Sequence, residues 1–600
     1  MAEKMDGDGD PKRQGRPHPL RTWDAVPGRS LDAAISAGLS AAVLLLLTVT
    51  LSDHGLAWDE AFTIERVDRL REWFSWVGGD TTASRRAWSP ASSNLESRPV
   101  HLTRLGPTAG SPWRHETLRF FWPFARQEPN GHPPFYALLS LAGLAATENI
   151  LPPPARYRFG AASLFAMTVG AIFWFMTRLY GRAAGLMAAL GLLTMPRVFA
   201  HSHLASYDVP TLCLWFLAVA AFYWASAGTS GKWLWPSAFG VAWGCAAATK
   251  LTGWFLPIPL AAWVVFYRDR RRAQALLIGA GVAALILYLL IPPWWAGPIG
   301  GVQVFLRSNL GRETRSAIPT LFLGKVYPFA LPWYNTLVWT AIVVPPATLA
   351  LAVLGISRVI AGRLRDRPGS LLLMCWAFLM VLRALPAAPG HDGERQFLPA
   401  FAFLACLAGV GIAAIPALAT RVSCPRLATP LAVAALAAAV FAGGLSTWQF
   451  HPLQLSYYNS LIGGIAGASR MGMEPTYYWD ALTPDTRDWI NRHTELDHSV
   501  MVVYPLAPFE YLHHWGLLLP TPIPDRAHPP QWFLVQNRPG TLRVYPPLKL
   551  AAYLLEHVRP VHTQASSTAP RVPLVAIYAI KDAAEAETRM NQESAARAVR

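Results

Sequence analysis

GHPPFYALLSLAGLAAT, residues 131–147, is apolar enough to nominate a membrane span and too short to make one comfortably. Its uninterrupted apolar part runs for about 13 residues, and Pro152, Pro153 and Pro154 follow. Crossing hydrocarbon as a helix takes about 20. Eleven other blocks qualify, near 33–52, 158–178, 183–201, 208–227, 233–250, 252–267, 273–293, 336–358, 369–387, 396–417 and 427–447. If 131–147 does not cross, Arg178 and Arg182, Lys232, RDRRR (268–272), RLRDR (363–367), Arg421 and Arg426 all share the side of the basic N-terminal tail. If it does cross, the tail and the later basic loops fall on opposite sides. Basic residues concentrate in cytoplasmic loops, so the segment reads as interfacial or re-entrant and the chain as an eleven-span protein.

Composition agrees. Hydrophobic residues make up 53% of the 600 and charged ones only 15%, and the apolar ones come in span-length blocks. The net charge of +16 sits in short loops and marks topology, so nucleic acid is not an expected partner. Cys213, Cys245, Cys375, Cys406 and Cys424 show no metal or disulfide spacing. No small-residue cleavage site follows the first apolar block, which reads as a retained anchor.

Three regions are expected: a cytoplasmic tail at 1–32, a transmembrane domain at 33–447 with a large first outer loop at 53–157, and an extracytoplasmic domain at 448–600. The runs MVVY, WFLVQ and VPLVAIYAI alternate there with the helix-like LAAYLLEHV, the pattern of a small α/β domain. The stretch near 80–115 reads as an irregular excursion of the first outer loop. No internal repeat is evident.

Ionisable residues gather at the outer ends of the spans: Asp59 and Glu60, His132, Arg158, His201, His203 and Asp208, Lys250, then His391, Glu394 and Arg395. Any one of them alone suits an interfacial anchor or a helix cap. Together they combine carboxylates able to act as a base on a hydroxyl with cations able to hold a phosphate. That mixture fits a substrate whose phosphate is carried by a lipid. His201, His203 and Asp208 are the only metal candidates and match no strong ligand template.

WDEAF (58–62), NGHPPFYALL (130–139), RYRFGAASLFA (156–166) and ASYDVPTLCLWF (205–216) occur in that order. Together they resemble the lipid-phosphate-sugar glycosyltransferases of the protein O-mannosyltransferase superfamily, whose related members transfer aminoarabinose to lipid A. The resemblance is good over roughly the first 270 residues and looser beyond, GERQFLPAFAFLACLAG (393–409) being the best later match. It implies an all-α polytopic, GT-C-like membrane protein with about eleven transmembrane helices and a small outer α/β C-terminal domain. The implied activity is inverting transfer from a polyprenyl or dolichyl monophosphate sugar to an acceptor hydroxyl at the outer face. Asp59 would be the general base, with Glu60 and Asp208 positioning the substrates. Arg158, Arg395, His132 and Lys250 would bind the donor and its phosphate, and His391 and Glu474 would be candidate acceptor or sugar contacts. No cofactor is required, and a divalent cation is left open.

The chain departs from the protein-mannosylating members in two places. Phe135-Tyr136-Ala137 stands where they carry Gly-Lys after His-Pro-Pro, and the 294–335 loop is too short for their luminal insertion. The sugar stays open, and so does the acceptor, whether glycan, lipid or protein. The stretch containing Glu474 also reads as a Gly-rich linker with aromatic anchors. A transporter or flippase for a lipid-linked substrate is the alternative, although no repeated halves with matched broken helices are present. A partner-binding scaffold is a third reading, and it leaves the ionisable cluster unexplained. The expected location is a bacterial plasma membrane, N-terminus inside.

Overall fold

The computed structural model describes residues 29–80, 111–122, 132–225, 233–311, 318–421 and 423–598. The N-terminal tail, most of the stretch near 80–115 and Lys232 lie outside these.

Each of the eleven expected blocks is helical. Among the described residues six helices are long and apolar enough to cross a membrane: Ser30–Thr50, Ala155–Tyr180, Arg270–Leu290, Arg367–Ala384, Pro399–Arg421 and Pro425–Gln449. Prolines divide or shorten others. The block 183–201 becomes Arg182–Leu193 and Pro196–His201, and the block 336–358 becomes Asn335–Val343 and Pro346–Ala361. Proline lacks the N–H that continues a helix yet suits its first turn, so Pro196 and Pro346 each begin a new one.

The helix Pro399–Arg421 is the centre of the bundle, and every residue from Pro399 to Ile412 is buried. It is apolar all round, as a central helix must be. The windows of Ser30–Thr50, Arg270–Leu290 and Pro425–Gln449 are only 11%, 17% and 22% buried. They expose Leu45, Leu277, Phe441 and Trp448, an apolar surface that belongs in hydrocarbon. This is an integral membrane protein.

Residues 131–147 yield the 13-residue helix Phe135–Thr147, which packs along Ala155–Tyr180. At their crossing Gly143 faces Gly160, and a Cβ on either would strike the other helix's backbone. Small residues at that contact let the backbones close up.

Beyond the last apolar helix lies a four-stranded sheet in the order β3-β4-β6-β5, built from β3 (Ser499–Val502), β4 (Pro530–Gln536), β5 (His562–Ala565) and β6 (Pro573–Ala579). β3 and β4 are parallel and the other pairs antiparallel. The three expected runs supply β3, β4 and β6, and LAAYLLEHV falls in the helix Lys549–His557. β5 was not expected, because HTQA is short and polar. A hairpin of β1 (Thr320–Phe322) and β2 (Lys325–Tyr327) precedes all of these.

Candidate active site

Four chain segments meet at the end of the bundle that carries the sheet. They are the turn before the helix Trp58–Val77, the 201–208 turn, the turn of 391–397, and 473–483 from the C-terminal region.

At the start of the helix Trp58–Val77 the Ala57 N–H donates to Glu60 Oε2 at 2.9 Å. Glu60 is also gripped by Arg158, Nε to Oε1 and Nη2 to Oε2, both at 2.8 Å. The Ala205 N–H donates to Oε1 at 2.9 Å. Arg158 spends its remaining donors on the carbonyls of Leu51, His54 and Gly55, at 2.7 to 3.0 Å. Both side chains are fully buried. Arg158, expected at the donor phosphate, has no donor left for one, and Glu60, expected to position substrate, is occupied in locking the turn.

Asp59 projects the other way. Its Oδ2 accepts from Tyr207 Oη at 2.6 Å, Arg395 Nη1 at 2.7 Å and Tyr478 Oη at 3.1 Å. No donor among the described residues reaches Oδ1, and the side chain keeps 14% exposure. Burial works to raise its pKa, but the Arg395 charge and the Tyr207 hydroxyl outweigh it and hold the carboxyl below its ordinary 3.8. Asp59 is therefore an ionised carboxylate with one oxygen fixed and the other presented.

Arg395 links this carboxylate to the rest of the site. Its Nε lies 3.5 Å from Asp208 Oδ2 and its Nη2 lies 3.2 Å from Asp392 Oδ2. Asp208 pairs in turn with Lys250 at 2.8 Å. Tyr207 is the hub, with His132 stacked on its ring at 3.7 Å and Lys250 Nζ 5.1 Å from the ring centre. Charges of alternating sign thus run from Asp59 through Arg395 and Asp208 to Lys250.

That chain ends at a cavity of about 210 Å³. Its polar wall holds His132, Lys250, Arg383 and Gln396 beside Thr252 and Asn309, and its apolar wall is half leucine, with Phe255 and Phe397. Arg383 is 5% exposed, yet none of its three guanidinium nitrogens has a hydrogen-bond partner among the described residues. A buried guanidinium without an acceptor is costly, and a bound anion would relieve that cost.

The other expected residues take different places. Glu474 is buried and accepts from the Leu321 N–H at 2.9 Å and the Gly540 N–H at 3.3 Å, so it ties chain segments together. Burial raises its carboxyl pKa to about 7. His391 lies 3.8 Å from Asp392 and does not line the cavity. His201 faces Glu394 at 3.8 Å, His203 bonds Thr50 Oγ1 and the Phe199 carbonyl at 2.8 Å, and Asp208 is held by Lys250. Among the described residues no three His, Cys, Asp or Glu side chains are grouped to hold a metal ion.

Tyr207, Tyr478, Asp392 and Arg383 were not anticipated. Arg383 had a legible signal, since a lone arginine within an apolar block marks a functional position.

Among solved structures the chain is similar to ArnT from Cupriavidus metallidurans bound to undecaprenyl phosphate. Identity there is 15%, with 90% of this chain and 97% of that one covered and a TM-score of 0.47. The apo state of the same protein gives 15%, 91%, 98% and 0.48. The archaeal oligosaccharyltransferase AglB from Archaeoglobus fulgidus, in complex with an inhibitory peptide and a dolichol-phosphate, gives 11%, 84%, 69% and 0.45. No curated protein sequence matches the chain. Residues 132–295, which include His132, Arg158, Asp208 and Lys250 but neither Asp59 nor Arg395, match the family model described as dolichyl-phosphate-mannose-protein mannosyltransferase, and this bears out the resemblance read from the motifs.

Proposed function

We propose that this protein transfers a sugar from a polyprenyl or dolichyl monophosphate to an acceptor hydroxyl, with inversion at the anomeric carbon, at the outer face of the membrane. The observation that carries this reading is the cavity with lipid-like walls and three basic side chains, joined through Asp208 and Arg395 to Asp59. In the reaction, Asp59 Oδ1 accepts the proton of the acceptor hydroxyl. The acceptor oxygen attacks the anomeric carbon from the face opposite the phosphate, and the bond from that carbon to the phosphate oxygen breaks. The departing lipid phosphate is held by Lys250, Arg383 and His132, where buried cations stabilise the growing charge. The leucine and phenylalanine walls receive the first isoprene units. The matched family's description, which names a dolichyl-phosphate sugar, supports the donor class.

The orientation, with the N-terminus inside and the C-terminal region outside, rests on the basic loops. In a bacterial plasma membrane the acceptor then arrives from the envelope side. Release of polyprenyl phosphate from a panel of labelled polyprenyl-phosphate sugars tests the reading. Arg383→Gln is expected to raise the donor KM about 10- to 100-fold, the worth of a charge-assisted hydrogen bond. An unchanged KM would remove the cavity from the donor path.

A further inference from the structure

We infer that Tyr478 is a positioning residue for the transfer, through which the C-terminal region sets the orientation and protonation of Asp59; this rests on Asp59 being the base. Every residue from Met473 to Thr483 is buried, although the segment follows the last apolar helix. It does not behave as a linker.

Its anchors are numerous. The Glu474 carboxylate holds the N–H groups of Leu321 and Gly540. Thr476 Oγ1 donates to the Asn537 carbonyl at 2.8 Å, and Gln536 bonds both the Ala481 N–H and the Trp479 carbonyl, at 3.2 and 3.3 Å. On the other side the Trp58 N–H donates to the Tyr478 carbonyl at 3.3 Å. Gly55 lies so close to the carbonyls of Asp480 and Leu482 that a Cβ has no room.

Trp479 adopts φ +59°, a left-handed conformation that a bulky residue takes only when its surroundings impose it. The turn sends adjacent side chains in opposite directions. Trp479 enters the cluster of Phe533, Val535 and Tyr578 on the sheet, while Tyr478 reaches Asp59.

Two side chains of the C-terminal region therefore act on the base. Tyr478 donates to Asp59 Oδ2 and lays its ring 4.2 Å from the Arg395 guanidinium carbon. Arg538 Nη2 donates to Asp392 Oδ1 at 3.0 Å, and Asp392 in turn holds Arg395. The three donors on Oδ2 leave Oδ1 as the open oxygen. Removing the tyrosine hydroxyl withdraws a hydrogen bond made to the ionised form, so Asp59 binds its proton more tightly. It also loosens the carboxylate, so Oδ1 meets the acceptor less often in line.

The test is the pH dependence of turnover by the full chain in detergent, with a polyprenyl-phosphate sugar, for wild type, Tyr478→Phe, Tyr477→Phe and Asp59→Asn. Tyr478→Phe is expected to lower kcat about tenfold, leave the donor KM unchanged and move the acid limb upward by about half a pH unit. Tyr477→Phe removes a hydroxyl at the same depth that bonds Glu394 instead, and its acid limb stays at the wild-type position. An unmoved limb in Tyr478→Phe, with Asp59→Asn inactive, overturns the positioning role and leaves Asp59 as the base. Turnover by Asp59→Asn at the wild-type rate overturns the base itself, and this inference with it. Should Tyr478→Phe not fold, a ring-fluorinated tyrosine at position 478 keeps the shape and makes the hydroxyl a stronger donor to Asp59; the acid limb is then expected to move downward, and an unmoved limb overturns the positioning role.

Discussion

Asp59 and Glu60 are neighbours in the chain with opposite fates, because successive residues at a helix start project about 100° apart. Glu60 turns inward to a guanidinium that is fully buried with it, and Asp59 turns toward Tyr207 and Arg395. The consequence is a separation of stability from turnover. Glu60→Gln leaves Arg158 buried without its counter-charge and is expected to cost about 3–5 kcal/mol, read as a lowered unfolding temperature in detergent. Asp59→Asn is expected to lose about 10²- to 10⁴-fold in kcat with a much smaller shift in unfolding temperature. Glu474 makes a different prediction. Its folded pKa of about 7 exceeds its ordinary 4.5, so between these values the folded chain holds a proton that the unfolded chain has released. That contribution to stability is full below about pH 4.5 and is lost as pH rises through 7. Glu474→Gln cannot titrate, so the gap in unfolding temperature between it and wild type should move in the variant's favour from pH 5 to pH 8.

The short helix Phe135–Thr147 shows what an element contributes. It is too short to span, and it places His132, just before its first turn, against Tyr207 and the cavity. Its position depends on Gly143 and Gly160. Gly160→Ala would drive a methyl into the Leu139 carbonyl and is expected to cost about 1–3 kcal/mol by overpacking. The same variant should raise the donor KM, because the His132 wall moves with the helix. The short apolar run made this helix legible in the sequence, and it folds as 13 residues. The proline breaks at Pro196 and Pro346 were less legible, because hydropathy runs through them unchanged while the hydrogen-bond ladder does not.

At the scale of the whole molecule, membrane class, helical bundle and C-terminal sheet all followed from periodicity and block length. The site was legible in its membership more than in its wiring. Asp59, Asp208, Arg395, Lys250 and His132 do come together, but Asp59 meets Arg395 across 336 residues and Tyr478 across 419. No local pattern encodes partners at such separations. Arg158 illustrates the limit, since its charge suggested a phosphate and only the fold reveals that its donors are already committed. Polar side chains of the C-terminal region were hardest to place, because a Tyr-rich, Gly-rich stretch after the last span fits a linker equally well until its burial is known.

If Asp59 is the base for sugar transfer from a lipid monophosphate, the measurement to make is the release of polyprenyl phosphate from labelled polyprenyl-phosphate sugars, with mixed acceptors, by wild type beside Asp59→Asn. Both would be purified in detergent and run with and without a chelator. Release by wild type, a loss of about 10²-fold or more in the variant, and two proteins that unfold at similar temperatures are expected. Equal release by both, or none by either while both bind the lipid alike, would contradict that role; the second result would favour a carrier of lipid-linked substrate.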